Sequence, residues 1–109
     1  MAKFGVLFKY SPEGNRGFLK EGASKRVEAV KKALASAGGH LECLYWIGAG
    51  EYSGLVIWDF PDMAAYTAFV THTQASDAFS LEVKSFQLLT SEEMDEALGK
   101  PVSYRPPGG

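Results

Sequence analysis

The sequence predicts an α+β domain in which helices cover one face of a four-stranded antiparallel sheet, with a short helix after the last strand. Three observations lead there. Strand-like apolar runs recur four times, as "KFGVLFKY", "HLECLYWIG", "GLVIWDF" and "FSLEVKSFQLL". Amphipathic segments with apolar residues every three or four positions separate the first run from the second and the third from the fourth. The two halves also rhyme: "LFKYSPE" and "VIWDFPD" each read strand, aromatic, proline, acid, helix.

The first strand spans residues 3–10, with Phe4, Val6, Phe8 and Tyr10 on one face and Gly5, Leu7 and Lys9 on the other. Ser11, Pro12 and Glu13 signal a helix start: a side-chain oxygen caps free N–H groups, proline suits the first turn, and the acid meets the helix dipole. Gly14, Gly17 and Gly22 make that first helical piece irregular, and the firm helix is expected at 23–37. Val27, Val30, Leu34 and Ala37 form its apolar stripe, with lysines opposite, and Gly38-Gly39 stops it.

The second strand is 40–48. Strict alternation puts Leu41, Cys43, Tyr45 and Ile47 on one face and His40, Glu42, Leu44 and Trp46 on the other. A turn at 49–53 leads to the third strand, 54–60, which is apolar on both faces and therefore central. Asp62 caps a helix to about residue 74 that buries Ala65, Tyr66, Phe69 and Thr73. A loop precedes the fourth strand, 79–89. Thr90-Ser91-Glu92-Glu93 is a capping box for a last helix, 91–98. The order β-α-β-β-α-β is that of the ferredoxin-like split βαβ arrangement. Residues 1–98 form the domain, and 99–109 form an extended tail rich in proline and glycine. Helices on one face leave the other face of an apolar sheet bare, so a homodimer through the sheet faces is expected.

Composition narrows the function classes. The 109 residues are 46% hydrophobic and 22% charged, with net charge −2 and no basic stripe, which argues against nucleic-acid binding. No run is long enough to span a membrane. The only cysteine, Cys43, cannot form an internal disulfide, and "MAKFGVLFKYSPEG" has no signal-peptide pattern, so a cytoplasmic protein is expected. No metal-ligand cluster, phosphate loop or nucleotide fingerprint stands in the chain, so neither a metal nor a cofactor is expected. Two Trp, five Tyr and seven Phe exceed what so small a core usually needs, and point to a cavity or an interface.

The stretches "VLFKYSPEG", "SKRVEAVKKALASAGG", "LYWIGAGEYSGLVIWDFPD" and "KSFQLLTSEE" resemble the GYD-domain family, small proteins of the dimeric α/β-barrel superfamily, over about residues 3–95. The resemblance implies the ferredoxin-like fold and a dimer. It extends to a wider group of cavity-bearing proteins that includes cofactor-free monooxygenases, lactone isomerases, haem enzymes, polyketide cyclases and ligand-sensing domains. The family's Gly-Tyr-Asp becomes Glu51-Tyr52-Ser53 here, so Ser53 stands in the aspartate position and cannot serve as a charged base.

Candidate site residues each carry two readings. His72, near the end of the second long helix, favours the helix dipole when protonated, or serves a cavity as general base. His40 and Glu42, at i and i+2, form a wet strand end, or share an ion or a substrate proton. Tyr10, Tyr45, Trp46, Trp58 and Phe69 fill the core or the dimer interface, or line a pocket for a flat apolar ligand. Glu51 and Tyr52 are turn residues among glycines, or present a hydroxyl to a ligand or partner. Lys9 and Asp59 hold matching places in the two halves and are expected to pair across strands. Two functions follow: a small-molecule-binding homodimer acting as a cofactor-independent enzyme on an aromatic or polyketide-like compound, or a non-catalytic sensing or assembly module. A haem protein fits less well, since so short a chain leaves little room for a porphyrin.

Overall fold

The chain runs β1 (Ala2–Phe8), α1 (Pro12–Glu21), α2 (Ala23–Ser36), β2 (His40–Trp46), β3 (Gly54–Phe60), α3 (Met63–Gln74), β4 (Lys84–Leu88) and α4 (Ser91–Leu98) in the computed structural model, which describes residues 1–79 and 83–109. The strands pair in the order β2-β3-β1-β4, and every pairing is antiparallel. This is an α+β fold with ferredoxin-like strand order, and β3 is central as its doubly apolar sequence requires.

The core lies between the sheet and the helices. Phe4, Val6 and Phe8 of β1 stand beside Trp58, Val56 and Gly54 of β3, and all six are buried on the helical side. Val56 and Phe60 have no exposed surface, and Leu34 of α2 and Tyr66 and Phe69 of α3 close over them. Phe4 and Tyr66 stack with centroids 3.7 Å apart. The opposite face carries Leu7, Leu55, Ile57 and Cys43 only half-buried, with Tyr45 and Phe86 exposed.

Local chemistry explains the element ends. Asp62 Oδ1 accepts from the Ala65 N–H at 2.8 Å and starts α3. The Thr90 capping box closes in both directions: the Glu93 N–H donates to Thr90 Oγ1 at 3.1 Å, and the Thr90 N–H donates to Glu93 Oε1 at 2.9 Å. These bonds hold the Glu93 carboxyl below its ordinary range.

Three expectations need correction. The segment after Ser11 is a regular ten-residue helix, not an irregular piece. Ser11 caps it by accepting from the Gly14 N–H at 3.1 Å, and donates its own hydroxyl to Asp77 O at 2.6 Å. Gly14 is required there by close approach, since a Cβ would lie 2.1 Å from Ala78 O. Second, β2 does not alternate strictly. Its register against β3 passes from Leu41↔Trp58 to Cys43↔Ile57, so Glu42 is the extra residue of a bulge. The bulge turns Leu41 to the side of Leu44 and Trp46, and leaves His40, opposite Asp59, with Cys43 and Tyr45. Third, Asp59 lies opposite Lys3 and His40, not Lys9. The regular part of β4 begins at Lys84, after a lone bridge between Tyr10 and Phe79; the part of the expected strand at 80–82 lies outside the described residues.

Candidate functional site

A cleft of about 810 Å³ opens between the sheet and helices α2 and α3. Its floor is Val6, Val56 and Leu44. Its walls explain why it is not filled. Helix α2 and its C-cap present Ala33 and Ala37, and α3 presents Ala65 and Ala68, and side chains this short cannot meet across the gap. Space is therefore left between the two helices above the sheet.

Aromatic clusters close the two ends. At one end Tyr10, Phe8, Trp46, Phe18 and Phe79 pack together. The Tyr10 and Phe79 rings lie 5.3 Å apart, and Phe18 and Trp46 lie 4.6 Å apart. Ser11 positions this end: its N–H donates to Ala78 O at 2.9 Å and ties the start of α1 to the loop after α3. At the other end Trp58 meets Phe69 edge-on at 5.1 Å and Phe60 at 5.9 Å. The Trp58 Nε1 atom is buried there, with no hydrogen-bond acceptor among the described residues.

Polar side chains interrupt the apolar lining. The Tyr66 hydroxyl and Ser85 Oγ hydrogen-bond to each other across α3 and β4. Burial pushes the Tyr10 phenol above its ordinary value; the nearby Arg26 guanidinium works against that rise, and Glu21 works with it. Arg26 lines the cleft and pairs with Glu21 at 3.4 Å. His72 also lines the cleft but is exposed to solvent. Among the described residues that line it none is a carboxylate.

Five of the residues singled out from the sequence meet at this cleft: Tyr10, Trp46, Trp58, Phe69 and His72. Four lie elsewhere. Tyr45 stands on the opposite face, 68% exposed. Glu51 is exposed and Tyr52 half-buried in the hairpin, and neither lines the cleft. His40 sits on the opposite face with Nδ1 3.9 Å from Asp59 Oδ2. The pairing of His40 with Glu42 is corrected by the bulge, which sends Glu42 to Lys3 instead. Among the described residues no group of three or more His, Cys, Asp or Glu side chains could hold a metal ion. Sequence reasoning passed over Arg26 and Ser85. Arg26 reads as part of a wet lysine-rich face, and its place at a helix start facing the cleft is set by how α2 leaves Gly22.

The hairpin between β2 and β3 is tied back to the end of β1. Its Gly50-Glu51-Tyr52-Ser53-Gly54 turn is held by Ser53, whose N–H donates to Phe8 O at 2.8 Å and whose Oγ accepts from the Tyr10 N–H at 3.0 Å. Residues 4–98 match the GYD domain. The chain belongs to the GYD domain family. In this GYD protein Ser53 Oγ accepts from the backbone and joins the hairpin to the residues just after β1. A carboxylate there would find the same donor.

No curated protein matches the chain. Among solved structures the GYD protein is similar to FFRP-DM1, with TM-score 0.54 and 16% identity over 82% of this chain and 100% of that one. It is also similar to protein Atu4242 from Agrobacterium tumefaciens, with TM-score 0.50 and 13% identity over 84% of this chain and 94% of that one. At such identities the likeness speaks to the ferredoxin-like fold. Among the described residues no helix is long and apolar enough to cross a membrane.

Proposed function

We propose that this GYD protein is a homodimer that binds a small, flat, largely apolar molecule in the cleft between its sheet and its helices. The observation that carries the reading is the cleft of about 810 Å³, floored by valines and ended by aromatic clusters. Ligand sites typically occupy roughly 300–1,000 Å³ and are mostly apolar with a few polar groups. Here those groups include Tyr10, Arg26 and the Tyr66–Ser85 hydroxyl pair, with His72, Thr73 and Gln74 also in the lining. The dimer half of the reading is supported by the other sheet face, where Leu7, Leu55 and Ile57 are only half-buried and Phe86 is exposed.

Binding is favoured over catalysis by a cofactor-independent enzyme. His72, the one imidazole in the lining, is open to solvent, and a general base works best where water is excluded.

The test joins two measurements. Native mass spectrometry of the protein from its own host reads any mass lost on denaturation. Titration with planar aromatic compounds is followed by Trp46 and Trp58 fluorescence. Saturable quenching is expected, and it should disappear in Ala33→Phe and Ala68→Phe, which fill the gap. No adduct and no saturable quenching, or quenching unchanged in both variants, would overturn the cleft as the binding site.

A further inference from the structure

Helix α2 turns one charge toward the cleft. Arg26, Val30, Ala33 and Ala37 follow one another at steps of four, three and four, so they share a helical face, and all four line the cleft. The other three are apolar. Arg26 is the one permanently charged side chain among the described residues of the lining. It stands at the end closed by Tyr10, whose phenol feels the guanidinium. Tyr10 is only 8% exposed and packs on Phe18 and Phe79. Burial keeps its hydroxyl protonated, so it stays a hydrogen-bond donor. Arg26 and Tyr10 also border a neighbouring groove, whose lining includes Glu13 and Glu21. The guanidinium thus lies between a groove with two carboxylates and a cleft with none among its described residues. Its pair with Glu21 is loose: the separation is 3.4 Å and both side chains are 36% exposed. Ion pairs this open to water hold weakly and exchange readily.

We propose that the cleft takes a planar aromatic carboxylic acid, its carboxylate held by Arg26 and the Tyr10 hydroxyl and its ring over the valine floor. The proposal rests on the small-molecule reading above and names the class of ligand. Desolvation argues for the acid. A neutral ring that filled the cleft would strip water from the guanidinium and return nothing, whereas a carboxylate brings the compensating charge with it. Geometry argues for a carboxylate in particular. The guanidinium is a planar fork that matches the two oxygens of a carboxylate, and the phenol adds a further donor. Charge count argues the same way. A single permanent cation balances a monocarboxylate, while a phosphate monoester carries nearly two negative charges at neutral pH. With no carboxylate among the described lining residues, nothing in that lining repels the ligand's acid. Glu21 is the competitor, and it reaches Arg26 from the groove side.

The experiment is calorimetric titration of the full chain with naphthalene-2-carboxylate and with its neutral isostere, naphthalene-2-carboxamide. The acid should bind about tenfold more tightly than the amide, as expected of hydrogen bonds to a charged group. Arg26→Gln should bring the acid down to the amide's affinity. Glu21→Gln removes the competing carboxylate and should tighten the acid by about threefold. Ala33→Phe fills the gap and should abolish binding of both probes. Equal affinities for acid and amide, both lost in Ala33→Phe, would overturn the carboxylate and leave the cleft standing as an apolar site. A preference for the acid that survives in folded Arg26→Gln would also overturn it, because another group would then hold the charge. Where Arg26→Gln does not fold, Glu21→Gln decides: an unchanged affinity for the acid overturns the proposal. A chain that binds neither probe would remove the carboxylate and the cleft reading together.

Discussion

The two faces of the sheet are built from similar residues and meet different fates. On the helical face Phe4, Val6, Val56 and Phe60 are buried by Leu34, Tyr66 and Phe69. On the other face Leu7, Leu55 and Ile57 are equally apolar but only half-covered, and Phe86 is 44% exposed. Phe86 does lie over Gly5, whose missing side chain makes room for the ring; a Cβ there would stand 2.6 Å from it. One ring is a partial cover where the helical face has three helices. The difference teaches that apolar composition sets where burial is wanted, while topology sets which face receives it within a single chain.

The largest effect should separate the faces directly. Phe60→Ala removes a fully buried ring and should cost about 3–5 kcal/mol, lowering the urea midpoint at every protein concentration. Ile57→Asp, on the same strand but on the other face, should leave the diluted chain nearly as stable but abolish concentration-dependent association. Equal loss of stability in both variants at high dilution would break the comparison, because it would mean that both faces are covered within one chain.

A smaller effect is expected where the hairpin seals the helical face. Ser53→Ala strands the Tyr10 N–H that Ser53 Oγ accepts, at a cost of about 1–3 kcal/mol. Ser53→Asp restores an acceptor and should recover most of the loss, read as the denaturation midpoint. Failure of aspartate to rescue would show that the bond is not what Ser53 supplies.

The smallest effect is a pH dependence confined to the helical face. Burial holds the Tyr10 phenol protonated beyond its ordinary value of 10.0, so above that pH the folded state keeps a proton that the unfolded chain loses. Stability from Tyr10 is therefore complete below about pH 10 and declines as pH rises through the folded value. Tyr10→Phe should flatten this alkaline decline in melting temperature, and Tyr45→Phe on the open face should not.

Much of the fold was legible because its signals are local. The Thr90 capping box, the Asp62 cap and the double apolar pattern of 54–60 each depend on a few neighbouring residues, and the elements stand where those signals put them. The bulge at Glu42 was not legible. Alternation within "HLECLYW" is satisfied equally well in two registers, and only pairing with Trp58 and with Lys3 selects one. Helix α1 was under-read for the opposite reason: its glycines suggest disorder in the pattern, but Gly14 is there to let Ala78 O approach, a contact sixty-four positions away.

The candidate site divides in the same way. The sequence by itself determined that the chain is an α+β domain of the GYD family, that it carries more aromatic side chains than a small core needs, and that Tyr10, Trp46, Trp58 and Phe69 are among them. Periodicity and capping are properties of adjacent residues, so one dimension suffices to read them. Only the tertiary structure decided that alanines from α2 and α3 face each other across a gap, that Arg26 and the Tyr66–Ser85 pair border it, and that Tyr45 and His40 look away from it. A cavity is what side chains from distant segments fail to fill, and that failure is set by how the helices lie on the sheet, not by any one stretch of the chain.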